Sequence, residues 1–194
     1  MFPRDPKPHR LGMTHPSLSI LTQAIRDNLP QTLYHFLLAG GDPNSLNSDG
    51  RTLCCLAAQY GRTEILASLI ESGADPSRSD AYHCTPAHYA IQHQQPAILS
   101  LLQENGTSCQ TTGHGRSALL VAVRINSPQM IHFLLANKIC DVNETDPTYH
   151  LDQTALHLAA QLDRVPIIII LLQYGANTTH LDRYERTCLD VATT

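Results

Sequence analysis

The sequence predicts an all-α solenoid of stacked helix-turn-helix units joined by short hairpin-like finger loops. Three observations lead there. A threonine or serine followed five residues later by alanine recurs at Ser19/Ala24, Thr52/Ala57, Thr85/Ala90, Ser117/Ala122, Thr154/Ala159 and Thr187/Ala192, at spacings of 33, 33, 32, 37 and 33 residues. Aliphatic pairs recur eight and nine residues past that alanine, as Ile65/Leu66, Ile98/Leu99, Met130/Ile131 and Ile167/Ile168. Glycine recurs sixteen residues past it, at Gly40, Gly73, Gly106 and Gly175. A fixed period of this length marks a stack in which each unit buries its apolar face only against its neighbours.

The clearest unit is the stretch from Gln153 to Asn177. It holds one short helical run from Ala155 to Gln161 and a strongly apolar one from Ile167 to Tyr174, closed by Gly175. Neither is long enough to be stable alone in water. Residues 1–16 carry Pro3, Pro6, Pro8 and Pro16 among Arg4, Lys7, His9 and Arg10, and are expected to be a flexible basic tail. The repeat units then run over residues 17–47, 48–78, 79–110, 111–143, 144–179 and, as a half-unit, 180–194. The first helix of unit one is expected over Leu18 to Arg26 and the second over Pro30 to Ala39.

Proline recurs near the start of the second helices of units one, three, four and five, at Pro30, Pro96, Pro128 and Pro166. At a first helical position it loses no hydrogen bond, so the second helices are expected to begin there. The recurring glycines are expected to end them in the left-handed conformation, and Asn137 to do so in unit four. Phe36, Leu69, Leu102, Leu134 and Leu171, twelve residues past the alanine, complete one helical face with the aliphatic pairs.

The hexapeptides read TLCCLA, TPAHYA, SALLVA, TALHLA and TCLDVA. They resemble the ankyrin repeat family, whose pattern is T-P-L-H-x-A at a period of about 33 residues. Thr85, Pro86 and His88 match that pattern, as do Thr154, Leu156 and His157, and the resemblance covers Ser17 to Thr194. It implies that His88 and His157 hydrogen-bond the repeat threonine and nearby backbone. It also implies a concave groove lined by finger tips and the exposed side of each first helix. By register, the candidate partner-binding residues are Asp49, Arg51, Tyr60, Tyr82, His93, His114, Arg116, Arg124, Tyr149, His150, Gln161, Arg183, Tyr184 and Arg186. Tyrosine and arginine are enriched at binding hot spots. Asp141-Val142-Asn143 resembles the sites that asparaginyl hydroxylases modify in ankyrin proteins, with Asn44 and Asn177 in comparable places. The competing role for Asn143 is to hydrogen-bond the finger turn.

Composition narrows the function classes. A formal charge of −4 argues against a nucleic-acid partner. The longest apolar run, Val165 to Leu172, is too short for membrane insertion. Six cysteines, with no CxxC pair, are expected to be reduced and buried in an intracellular, cytoplasmic protein, with the nucleus or a host-cell cytosol as other settings. His83, Cys84, His88 and His93 cluster without a zinc spacing, so no metal and no cofactor are expected. Cys84 near His83 or His93 lacks a visible third group for nucleophilic catalysis, and no catalytic residue is assigned. The expected function is non-catalytic protein–protein recognition by a monomer through the concave face. The alternatives are a targeting module of a larger enzyme or pathogen effector, and a transcription-factor inhibitor.

Overall fold

The computed structural model describes residues 17–109, 117–145 and 152–192. It is all-α. The helices are α1 (Leu18–Arg26), α2 (Pro30–Leu38), α3 (Leu53–Gln59), α4 (Thr63–Glu71), α5 (Pro86–Gln92), α6 (Pro96–Glu104), α7 (Ala118–Arg124), α8 (Pro128–Ala136), α9 (Ala155–Gln161), α10 (Val165–Gln173) and α11 (Cys188–Ala192). Among the described residues the only strand-type pairings are isolated bridges, Leu46 with Thr52 and Thr145 with Thr154. The expected tail, residues 1–16, lies outside the described residues.

Each helix pair forms for local reasons. Thr52, Thr85 and Ser117 cap α3, α5 and α7, their hydroxyls accepting backbone N–H groups of the first turn. Four residues past each motif alanine the chain enters the left-handed region, at Asn28, Gly61, Gln94, Asn126 and Asp163. The next N–H then donates back to the alanine carbonyl, at 2.8 Å for Leu29 to Ala24 and 2.7 Å for Gln95 to Ala90. That is the Schellman closure, and it turns the chain directly into the second helix.

Pro30, Pro96 and Pro128 open α2, α6 and α8, whereas α10 starts at Val165 with Pro166 second, two residues before the expected Ile167. The second helix of repeat one stops at Leu38, with Ala39 as its cap. Gly40, Gly73, Gly106 and Gly175 all have positive φ after their helices. In repeat four the left-handed residue is Lys138 (φ 55°), not Asn137, which keeps φ −87° as the cap while its side chain donates to the Phe133 carbonyl. Position in the turn decides the conformation there, although lysine carries a Cβ cost of about 1–2 kcal/mol.

The first helices stack as α1, α3, α5, α7, α9 and α11, while among the second helices α2 packs on α4, α4 on α6, and α8 on α10. One continuous core runs between the two rows, through Leu33, Leu66, Leu99 and Ile131 on one side and Ala57, Ala90, Ala122 and Ala159 on the other. Ile168, expected in that core, is only half-buried, because no described helix covers its side of α10. All six cysteines are buried thiols.

Candidate functional site

Three of the finger loops are built by one device. Asn47, Asp80 and Asp182 stand five residues before the motif threonine and are buried. In each, Oδ1 accepts the backbone N–H groups two and four residues on. The pairs are Asp49 and Arg51 at 3.0 and 2.9 Å, Tyr82 and Cys84 at 2.9 and 3.0 Å, and Tyr184 and Arg186 at 2.9 and 3.0 Å. The residue between those donors is left-handed: Gly50, His83 and Glu185. His83 thus adopts the left-handed conformation at φ 56°, and the device fixes where each fingertip points. The five-residue spacing from Asx to threonine is the sequence signal that would have found it.

The second oxygen of each aspartate then organises the groove. Tyr89 Oη donates to Asp80 Oδ2 at 2.8 Å. Burial, followed by this contact with the carboxylate, pushes the Tyr89 phenol well above its ordinary range. Arg186 donates to Asp182 Oδ2 from Nε at 3.0 Å and Nη2 at 2.8 Å. Desolvation alone would raise the Asp182 carboxyl. The Arg186 guanidinium and the N–H groups of Arg186 and Tyr184 outweigh it and hold the group down at about 2.

Around Asp80 the candidate residues converge. The Arg51 guanidinium lies 5.3 Å from the Tyr89 ring centre and 5.9 Å from that of Tyr82, while Nη1 donates to Gln59 Oε1. Its Nε is buried with no hydrogen-bond partner. His93 stacks on Tyr89 at 6.4 Å, and burial, then the Arg51 charge, lower its pKa. Tyr82 stands exposed above them. Tyr89, which sequence reasoning did not single out, is thus the floor of the site. Cys84 is buried, as expected of the cysteines, its thiol donating to the Tyr82 carbonyl.

A second cluster sits at repeat six. Arg186 lies over the exposed Tyr184 ring at 5.1 Å, and Arg183 Nε is 3.4 Å from Asp152. Arg124 and Gln161 are the exposed last residues of α7 and α9, and Asp49 is exposed on its fingertip. Tyr60 does not join the Arg51 cluster. It is half-buried, with Arg26 Nε donating to its hydroxyl at 3.1 Å. His114, Arg116, Tyr149 and His150 lie outside the described residues.

The motif histidines differ. His157 is fully buried, with Nδ1 at 2.8 Å from the Thr154 hydroxyl and Nε2 at 3.1 Å from the Arg186 carbonyl. A carbonyl only accepts, so Nε2 carries the proton. His88 is half-buried and meets the Tyr89 ring edge-on. Asn143 contacts the turn after the next repeat's second helix, not a finger: Oδ1 accepts Asn177 N–H at 2.7 Å and Nδ2 donates to the Gly175 carbonyl at 3.5 Å. Asn44 makes the same clasp onto Asp75 and Gly73. Among the described residues no cluster of three metal-ligating side chains occurs. No helix among them is long and apolar enough to cross a membrane.

Helix pairs repeated at this period, stacked in two rows with their fingers on one side, define a helical repeat solenoid of the protein-binding class. The profile for ankyrin repeats (3 copies) matches residues 21–113 and 119–194, and the chain belongs to the ankyrin repeat family, whose repeats are protein–protein interaction modules. It is similar to neurogenic locus notch homolog protein 1 of Homo sapiens, 30% identical over 169 residues that are 86% of this chain and 6% of that protein. It is also similar to a glycerophosphocholine phosphodiesterase of Candida albicans, 33% identical over 66% of this chain and 12% of that enzyme. The chain therefore spans only a small part of these relatives. The crystal structure of the ankyrin repeat domain of Bcl-3, described as a unique member of the IkappaB protein family, superposes with a TM-score of 0.78. Its identity is 28%, over 90% of this chain and 77% of that one.

Proposed function

We propose that this chain is a non-catalytic recognition module, an adaptor, scaffold or inhibitor that binds a partner protein through its concave finger and first-helix face. The Arg51 constellation carries the reading. It offers a half-buried cation between two tyrosine rings, beside the exposed Tyr82. Such a group binds a carboxylate or a backbone carbonyl of an incoming segment. Tyr82 and Tyr184 stand exposed on separate fingers as aromatic anchors, which lose little entropy on binding. The buried thiols and the formal charge of −4 support an intracellular, cytoplasmic setting and a protein rather than nucleic-acid partner. Both ends of the Asn143 amide are engaged, which supports a structural role for that residue over hydroxylation.

Affinity capture from cell extract with quantitative mass spectrometry tests this. Proteins retained by the wild type and by the convex-face variant Gln173→Ala should be lost with Tyr82→Ala, at a cost of about 2 kcal/mol in affinity. Tyr82→Ala should change folding stability by less than about 0.5 kcal/mol. Retention by Tyr82→Ala with loss by Gln173→Ala would refute the concave-face assignment. A second reading rests on the phosphodiesterase relative: the repeats serve as the targeting part of a larger enzyme. A third reading, that this chain inhibits a transcription factor, rests on the likeness to Bcl-3, described as a member of the IkappaB protein family.

A further inference from the structure

The fingers of repeats two and six carry the same pair of positions and differ in one side-chain atom. The buried residue five before the motif threonine is Asp182 in repeat six and Asn47 in repeat two. An arginine stands four residues on in both, as Arg186 and Arg51. Oδ1 acts alike in the two fingers, accepting the N–H groups two and four residues on. The second atom differs. Asp182 Oδ2 accepts from Arg186 Nε at 3.0 Å and from Nη2 at 2.8 Å, which closes that arginine onto its own finger. Asn47 has Nδ2 in that place, a donor where Arg51 Nε is also a donor. Both atoms are buried without a hydrogen-bond partner.

Arg51 therefore keeps its charge without a carboxylate from its own chain. Among the described residues the ion pairs are Arg183 with Asp152 and Arg186 with Asp182. Asp80, in the next finger, is taken by two backbone N–H groups and the Tyr89 hydroxyl. Asp49, on the same fingertip as Arg51, accepts from the Ser48 hydroxyl. The immediate contacts of Arg51 are neutral. Nη1 donates to Gln59 Oε1, and the guanidinium lies over the Tyr82 and Tyr89 rings. Rings and one amide fix its position and leave its charge uncompensated. The neighbours register that charge: burial first, and then Arg51, lower the pKa of His93.

Resting on the recognition reading above, we propose that Arg51 receives the carboxylate of an acidic side chain from the partner protein, in the role that Asp182 plays for Arg186, and that Asn47 keeps the site open for it. Repeat six shows the ligand class at the same place in the same fold. A carboxylate meeting the guanidinium beside Gln59 makes charge-assisted hydrogen bonds, and the two tyrosine rings keep water from screening them. Tyr82, exposed at the rim, covers the chain on either side of the acid. Asn47 is thus a specificity-determining residue that need not touch the partner. Its amide leaves two buried donors underbonded in the free chain, at a cost in stability. Asn47→Asp removes that cost by supplying the carboxylate from within, and so closes the site.

Selection from a phage library of random linear peptides, followed by fluorescence anisotropy of the selected peptides, tests this. The wild type and the convex-face variant Gln173→Ala should both select peptides carrying Asp or Glu. Changing that acid to its amide should weaken binding to the wild type more than about tenfold. Arg51→Gln should bind the acid and amide forms alike. Asn47→Asp should melt about 2 °C or more above the wild type, yet bind the acidic peptide more than about tenfold more weakly. A misfolded variant would lose both stability and binding, so this opposite movement separates a closed site from a broken one. Selection of no peptide, or of peptides with no excess of acid, overturns the proposal. So does acid–amide discrimination that survives Arg51→Gln, or an Asn47→Asp chain that melts no higher or binds as the wild type does. Acid-free peptides that are lost with Tyr82→Ala would sink this proposal alone and leave the recognition reading standing.

Discussion

His157→Ala should destabilise the chain far more than His88→Ala, although both histidines occupy the same motif position. The His157 ring is fully buried and bonded at both nitrogens, to Thr154 and across the repeat boundary to the Arg186 carbonyl. Each bond is worth about 1 kcal/mol net, and the void left by the ring adds about 1 kcal/mol or more, for a total near 3 kcal/mol. His88 is half-buried, so water can solvate what its loss exposes, and its cost should stay near 1 kcal/mol. Urea denaturation followed by circular dichroism measures both. The Arg186 carbonyl belongs to repeat six, so His157→Ala should also undock α11. Hydrogen exchange should then rise at the Val191 amide, which donates to the Thr187 carbonyl. Equal costs for the two variants, or unchanged exchange at Val191, would refute this reasoning.

Glu144 tests the electrostatics at the boundary of the fourth and fifth repeats. Burial raises its carboxyl pKa above the ordinary value, and the hydrogen bond from Ser117 only partly offsets this. The folded chain thus holds that proton more tightly than the unfolded one. The resulting stability is present below the ordinary carboxylate range and is lost as pH rises through the raised value. Glu144→Gln should therefore melt a few degrees higher than the wild type near neutral pH, and the gain should vanish at about pH 4. A loss of equal size at both pH values would contradict it. The thiols make a simpler prediction. Burial pushes Cys54 and Cys55 up to about 12 and Cys109 to about 11, with Cys140 also raised. An aromatic disulfide reagent should not react with Cys54, Cys55, Cys109 or Cys140 at neutral pH until denaturant is added, because the thiolate is the nucleophile. Rapid stoichiometric labelling of the native chain would show the burial to be wrong.

The sequence by itself determined the repeat length, the helix pairing and most of the core. These are local properties. A proline at a first helical position or a glycine after a helix acts through sterics within one turn of backbone, and an aliphatic face is set by helical periodicity. Hence α9 lies over Ala155–Gln161 as the pattern requires, and Gly40, Gly73, Gly106 and Gly175 are all left-handed. The local rule failed where residue type and position disagreed: Lys138, not Asn137, takes the left-handed turn.

The groove was legible only as a list of register positions. What it is made of depends on residues about thirty apart meeting across a repeat boundary. Arg51 between Tyr82 and Tyr89, Tyr60 held by Arg26, and Asn143 clasping Gly175 and Asn177 are all of that kind. No periodicity encodes them, because the offset between neighbouring repeats sets which side chains touch. Leu189 shows the same dependence: its hexapeptide matches the core pattern, yet it is 73% exposed where no described repeat packs against it.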